Sequence, residues 1–221
     1  MPQAALFDVD GTLTDTNYLH VTCWWEAFRQ AGHRVAMCDI HRAVGLSGGD
    51  LVAHLLGEDR DREQDGLITA AHKTLYATHF DRLSAFDGAG DLLRALAARG
   101  RRIVLATSAS GRELAALRAA VGADDVIAGT ASSDDVSAGK PAPEPVEHAL
   151  EIAGCPASQA VFVGDSVWDM RAAVRAGVPA VALLSGGVSR GDLEEAGATA
   201  VYRDVSDLLA RLDRSPFARS G

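Results

Sequence analysis

The chain has 221 residues, 48% of them hydrophobic and 23% charged, with a formal net charge of −9. These values describe a foldable globular chain of one or two domains with a substantial core, not a disordered one. Lysine and arginine are dispersed and outnumbered by acids, which excludes the electrostatic footprint of nucleic-acid or anionic-membrane binding.

No apolar run approaches the ~18 residues that span a bilayer, and the N-terminus shows neither a basic stretch nor a cleavage site. Cys23, Cys38 and Cys155 are odd in number and lack metal-ligand spacing. A soluble protein of the reducing cytoplasm is the expectation.

Ala4-Ala5-Leu6-Phe7 is a short apolar run that ends in Asp8-Val9-Asp10-Gly11-Thr12. Its length and the glycine turn predict a buried parallel strand whose end presents Asp8 and Asp10 on one side. Thr16 or Asn17 then caps a helix to about Ala31. Up to Phe80 only helices are predicted, at about Asp39–Val44, Asp50–Leu56 and Arg60–Phe80, with the loop Gly45–Gly49 between the first two.

After Phe86 the rhythm alternates. Helix Gly88–Arg99 precedes strand Arg102–Ala106, and helix Arg112–Val121 precedes strand Asp125–Ala128. Helix Pro145–Ala153 leads to strand Ala160–Val163, and helix Trp168–Ala176 to strand Val178–Leu183. Helix Gly191–Ala196, strand Ala200–Tyr202 and a helix from Val205 to about Leu212 follow, with Arg214–Gly221 as a frayed tail. Such alternation predicts an α/β fold: a doubly wound parallel sheet with helices on both faces. Residues 1–15 and 84–221 are assigned to this core, and 16–83 to an inserted helical domain.

In such a sheet, ligands gather beyond the carboxyl ends of the strands. Asp8 and Asp10 end one strand, Thr107-Ser108 another, and Gly164-Asp165-Ser166 a third, with Asp169 four residues on. Gly139-Lys140-Pro141-Ala142-Pro143-Glu144 places a lysine at a proline-stiffened turn. Each residue also has a plain structural reading: Thr107 and Asp165 as helix caps, Lys140 as a solvated loop residue, Asp169 as a charge on an exposed helix face.

Together the set suits phosphoryl chemistry. Three carboxylates form a hard, oxygen-rich site for Mg²⁺, while a lysine, a hydroxyl and backbone N–H groups hold a phosphate dianion. One aspartate can attack phosphorus, and the other can protonate the leaving oxygen and later activate water.

Asp8-Val9-Asp10-Gly11-Thr12, Thr107, Lys140 to Glu144 and Gly164 to Asp169, in that order, resemble the four motifs of the haloacid dehalogenase superfamily. The likeness is to its phosphohydrolase branch with a helical cap after the first strand, covers Ala4 to about Leu209, and implies a Rossmann-like core. It implies Asp8 as nucleophile and Mg²⁺ ligand, and Asp10 as general acid/base with its carbonyl on the metal. Thr107 and Lys140 would hold the phosphoryl group, Asp165 would bind the metal, and Asp169 would support it directly or through water. The dehalogenases themselves lack an aspartate at the position of Asp10, so the resemblance favours phosphoryl transfer.

Substrate choice is expected in the insert. Six of the seven histidines, His20, His33, His41, His54, His72 and His79, fall there and read mainly as solvated helix faces. His20 is the exception. Asp15–His20 resembles the stretch of β-phosphoglucomutase in which a histidine faces the acid/base. Trp24 and Trp25 point roughly 100° apart, one toward a core. In β-phosphoglucomutase the cap loop carries an arginine for a second phosphate; here Gly48 stands in its place.

Arg42 and Lys73 are candidate cap cations, and Gly11, Thr12, Gly48 and Ser108 further substrate contacts. The expected partner is a small phosphorylated metabolite, for a monomer or homodimer. The expected activity is a Mg²⁺-dependent, phosphoglycolate phosphatase-like hydrolysis. A sugar phosphomutase and a non-catalytic phosphate-binding protein are the alternatives.

Overall fold

A computed structural model describes residues 2–218. Its centre is a six-stranded parallel sheet: β1 (Ala4–Phe7), β2 (Arg102–Ala106), β3 (Ile127–Ala131), β4 (Ala160–Gly164), β5 (Ala180–Leu183) and β6 (Ala198–Tyr202). The order is β3-β2-β1-β4-β5-β6, so β1 is central and pairs with β2 and β4.

Alternation of side chains along the strands divides the core in two. Ala5, Phe7, Ile103, Leu105, Val161 and Val163 face one layer of helices. Ala4, Leu6, Val104, Ala106, Ala160 and Phe162 face the other. Both sheet faces are covered, so the strands read as continuous apolar runs.

The insert comprises α1 (Asn17–Gln30), α2 (Met37–Ala43), α3 (Gly48–Leu56) and α4 (Asp65–Ala77). Trp24, Phe28, Ile40, Leu51, Val52 and Ile68 give it a hydrophobic cluster of its own. Its two connections run side by side: the Asp15 N–H donates to Ser84 O (3.0 Å) and the Phe86 N–H to Leu13 O (2.9 Å). Long-range polar contacts seat it on the sheet domain, two of them outside the site at the strand ends. His41 Nε2 lies 2.7 Å from Gly186 O, and Trp168 Nε1 donates to Arg42 O at 2.9 Å.

The remaining helices are α5 (Ala89–Ala98), α6 (Gly111–Val121), α7 (Glu144–Ala153), α8 (Val167–Arg175), α9 (Arg190–Glu195) and α10 (Val205–Ala210). No helix of the described residues is long and apolar enough to cross a membrane.

Several boundaries differ from the sequence reading, four of them for a reason visible in the structure. The helix predicted from Arg60 starts at Asp65, because Arg60 Nε is bound to both Asp65 oxygens and a short 3₁₀ turn occupies Arg62–Gln64. It stops at Ala77, with another 3₁₀ turn at Phe80–Arg82. β3 begins at Ile127 rather than Asp125, since Asp124 and Asp125 are held in the preceding turn by Arg118 and Arg94. β5 begins after Pro179, which has no N–H to give a ladder.

The predicted frayed tail differs too. Leu212–Arg214 form a 3₁₀ turn, and Phe217 is completely buried in the core of the α5/α10 face; residues 219–221 lie outside the described residues. Phe217→Ala should therefore cost about 3–5 kcal/mol of stability, measured by urea denaturation. A frayed tail would show no change.

Candidate active site

Four segments far apart in sequence meet beyond the carboxyl end of β1. The chain after β1 folds back tightly, with the N–H groups of Leu13 and Thr14 donating to Val9 O at 2.8 and 3.0 Å. Gly11 allows this at φ +75°; a Cβ there would stand 2.4 Å from Asp165 Oδ2.

Asp8 is 7% exposed, and one of its oxygens accepts from Lys140 Nζ at 2.5 Å. The same ammonium lies 2.7 Å from Asp169 Oδ1 and is itself 4% exposed. Lys140 is thus no solvated loop residue.

Asp165 and Asp169 are equally buried, at 2% and 1%. Thr12 Oγ1 and Asn17 Nδ2 donate to the two oxygens of Asp165 at 2.7 and 2.8 Å. The N-cap of α8 is Ser166, not Asp165, and Asp169 Oδ2 accepts from both the Ser166 N–H and hydroxyl. Asp169 Oδ1 has only its ion pair with Lys140, without hydrogen-bond alignment. Gly186 packs against the same group: a Cβ there would meet Asp165 Oδ2 at 1.8 Å.

Ligand oxygens of Asp8, Asp165 and Asp169 lie within 4.8 Å of one another. Burial pushes Asp8 up to about 7 against the pull of Lys140. It also drives Asp165 well above the carboxylate range, helped by Asp169 and Asp8. Lys140 goes up as well: burial opposes its charge, but Asp169 and Asp8 outweigh burial. Three carboxylates thus face one ammonium in a water-poor site, with Asp169 Oδ1 held only by that ion pair. That donor set fits a divalent, oxygen-preferring cation.

Asp10 belongs to a second group. Its Oδ1 accepts from Thr16 Oγ1 at 2.7 Å and lies 3.2 Å from His20 Nε2, while Tyr76 Oη approaches at 3.5 Å. Neither predicted cap of α1 acts as one, because Thr16 serves Asp10 and Asn17 serves Asp165. Burial alone would raise Asp10, but the His20 charge and the bonds from His20 and Thr16 hold it below the usual range. For His20, burial is outweighed by Asp10 and Glu113, and its value rises.

His20 Nδ1 meets His72 Nε2 at 3.1 Å, and His72 stacks on Trp24 with centroids 3.9 Å apart. Burial, then the charges of His20 and Lys73, keeps His72 well below its ordinary value. The reading of His72 as a solvated helix face is therefore corrected. It is buried because α4 packs along α1.

Above both groups opens a cavity of about 270 Å³ lined by residues of the sheet domain and the insert. Asp8, Asp10, Asp165, His20, Ser108, Lys73 and the whole Gly45–Gly49 loop line it. Trp24 does too, whereas Trp25 stacks under Arg29. Thr107 and Lys140 line an adjoining cavity that shares Ser47, Gly49, Ser108 and Ser133. Thr107 is buried, and its hydroxyl accepts from the Ala109 N–H at 3.1 Å rather than capping α6.

Three expected contacts fall elsewhere. Arg42 is exposed, paired with Asp39, and outside the cavity, because α2 turns that face to solvent. Gly11 and Thr12 sit beneath the cavity and hold Asp165 in place.

In the sequence Tyr76 and Glu113 had no assigned role, and Asn17 was offered only as a helix cap and His72 only as a solvated histidine. Glu113, in the first turn of α6, lines the cavity and lies 3.9 Å from His20 Nε2; burial pushes it up to about 7. Asn17 had a local signal in the Asp15–His20 stretch. Glu113 had none.

Residues 2–177 match the model of the haloacid dehalogenase-like hydrolases. The chain belongs to this family. It is 35% identical to the phosphoglycolate phosphatase of Rhodospirillum rubrum, over 94% of this chain and 90% of that one.

Among solved structures, a hydrolase from Pseudomonas syringae superposes with a TM-score of 0.92 at 37% identity, covering 98% of this chain and 100% of the other. CbbY from Rhodobacter sphaeroides, in complex with phosphate, gives a TM-score of 0.76 at 26% identity, covering 96% and 100%.

Proposed function

We propose that this hydrolase is a Mg²⁺-dependent phosphatase of small phosphomonoesters, phosphoglycolate phosphatase-like in its chemistry, acting through an aspartyl-phosphate on Asp8. One observation carries the reading: the Asp8–Lys140–Asp169–Asp165 group lies directly under a cavity whose wall also holds Asp10 and His20. The phosphatase name of the Rhodospirillum rubrum relative supports it.

Lys140 engages one oxygen of Asp8, leaving the other to attack phosphorus as the ester P–O bond breaks. The leaving oxygen takes the proton held between His20 Nε2 and Asp10 Oδ1, delivered by Asp10. Asp10 then takes a proton from water, which attacks phosphorus and frees Asp8. Thr107 and Lys140 steady the phosphoryl oxygens. Asp8, Asp165, the Asp10 carbonyl and, directly or through water, Asp169 would hold Mg²⁺, whose charge would offset that of the phosphoryl dianion.

Residues 16–83 act in this reading as a cap that closes over the substrate and excludes water. No arginine lines the cavity among the described residues, which speaks against a second phosphate and so against a phosphomutase. The partner is a small phosphorylated metabolite. A cytoplasmic setting accords with three free cysteines.

Phosphate release from a panel of phosphomonoesters, including p-nitrophenyl phosphate, tests the proposal. EDTA should lower turnover at least about 100-fold, and excess Mg²⁺ should restore it. Undiminished turnover in EDTA would overturn the metal assignment.

A further inference from the structure

Glu113 occupies an unusual place for a carboxylate. It stands on the cavity wall, its side chain 19% exposed. A Glu113 oxygen, His20 Nε2 and an Asp10 oxygen all lie within 4.8 Å of one another. Glu113 therefore shares the cavity wall with the carboxylate assigned to proton transfer.

Its neighbours do not satisfy it. His20 Nε2 is engaged by Asp10 at 3.2 Å and His20 Nδ1 by His72 at 3.1 Å. Among the described residues no donor reaches hydrogen-bond distance of the Glu113 carboxylate, the nearest cationic nitrogen being His20 Nε2 at 3.9 Å. A first-turn acid favours the N-terminus of its own helix, but the α6 cap, Ser110, receives no bond from it. Lys73 lines the same cavity yet is exposed, where solvent and salt screen its charge.

Part-exposed on the cavity wall, this carboxylate gives up water when a substrate covers it, a cost that a donor on the substrate offsets. A second carboxylate brought to the same spot would add repulsion to that penalty.

We propose that Glu113 is a specificity-determining residue. It accepts a hydrogen bond from a hydroxyl or ammonium group borne next to the phosphate ester, and it disfavours esters that carry a carboxylate there. The substrate class is thus a phosphorylated polyol or amino alcohol. This rests on the phosphatase reading above and narrows it.

The test compares kcat/KM at pH 8, above the value to which burial pushes Glu113. The probes are glycerol 3-phosphate, phosphoethanolamine and phosphoglycolate, with p-nitrophenyl phosphate as the reference ester. Wild type should prefer at least one donor-bearing ester over phosphoglycolate by at least about tenfold, and which one is preferred separates hydroxyl from ammonium. Glu113→Gln should raise the phosphoglycolate-to-donor ratio by about tenfold or more.

A wild-type preference for phosphoglycolate overturns the proposal without any variant. So does a parallel fall for all four esters in Glu113→Gln, which marks a structural role. Turnover with the wrong selectivity refutes this inference alone; no turnover of any ester by wild type refutes the phosphatase reading and this one with it.

Discussion

Asp8→Asn should reduce hydrolysis of p-nitrophenyl phosphate at least about 10⁴-fold, the scale on which loss of a nucleophile is felt. The amide is nearly the same shape as the carboxylate, and its oxygen can still accept from the Lys140 ammonium, now at 2.5 Å from Asp8 Oδ1. The backbone is tied independently, through the Asp8 N–H to Val163 O at 2.9 Å.

The fold should therefore persist, with an unchanged far-ultraviolet circular dichroism spectrum. What the amide lacks is an ionisable oxygen to bond to phosphorus. Turnover within tenfold of wild type would sink the aspartyl-phosphate mechanism.

Lys140→Met should be felt in stability as much as in catalysis. The ammonium compensates both Asp8 and Asp169, each almost without solvent, and sits over the Phe162 ring at 5.4 Å from its centroid. An apolar side chain of similar length fills the space but leaves two buried carboxylates without their counter-charge. Breaking a buried pair in this way costs about 3–5 kcal/mol. For a chain of this size that is a fall of roughly 6–20 °C in the melting temperature.

The melt should be taken in metal-free buffer and repeated with Mg²⁺. A cation among the three carboxylates should recover part of the loss, since it supplies the missing positive charge. An unchanged melting temperature without metal would mean that Lys140 is not the compensating group.

The elements easiest to read were those with a strict local period. Ala4–Phe7 was legible as a strand because a fully buried strand is a short unbroken apolar run, and β2 and β4 were legible for the same reason. The misread boundaries lie where side chains override local propensity. Arg60 clasps Asp65 and delays α4, while Arg94 and Arg118 capture the aspartates before β3. The tail carried no periodic signal, yet Phe217 fills a place in the α5/α10 layer that only the assembled sheet creates.

At the site, the sequence by itself determined which residues the sheet edge would bring together. Residues at the ends of parallel strands share one sheet edge, so Asp8, Asp10, Thr107 and Asp165 could be brought together from strand positions alone. The tertiary structure decided their neighbours. Lys140 reaches Asp8 across 132 positions, and Asn17 reaches Asp165 across 148.

His20, His72 and Glu113 come from α1, α4 and α6, and their meeting beside Asp10 depends on how the insert is seated over the sheet. Helical periodicity says which residues share a face, but not which other face it will meet. The proposed reaction is therefore carried by strand ends, and the surroundings proposed for the substrate by the packing of three helices.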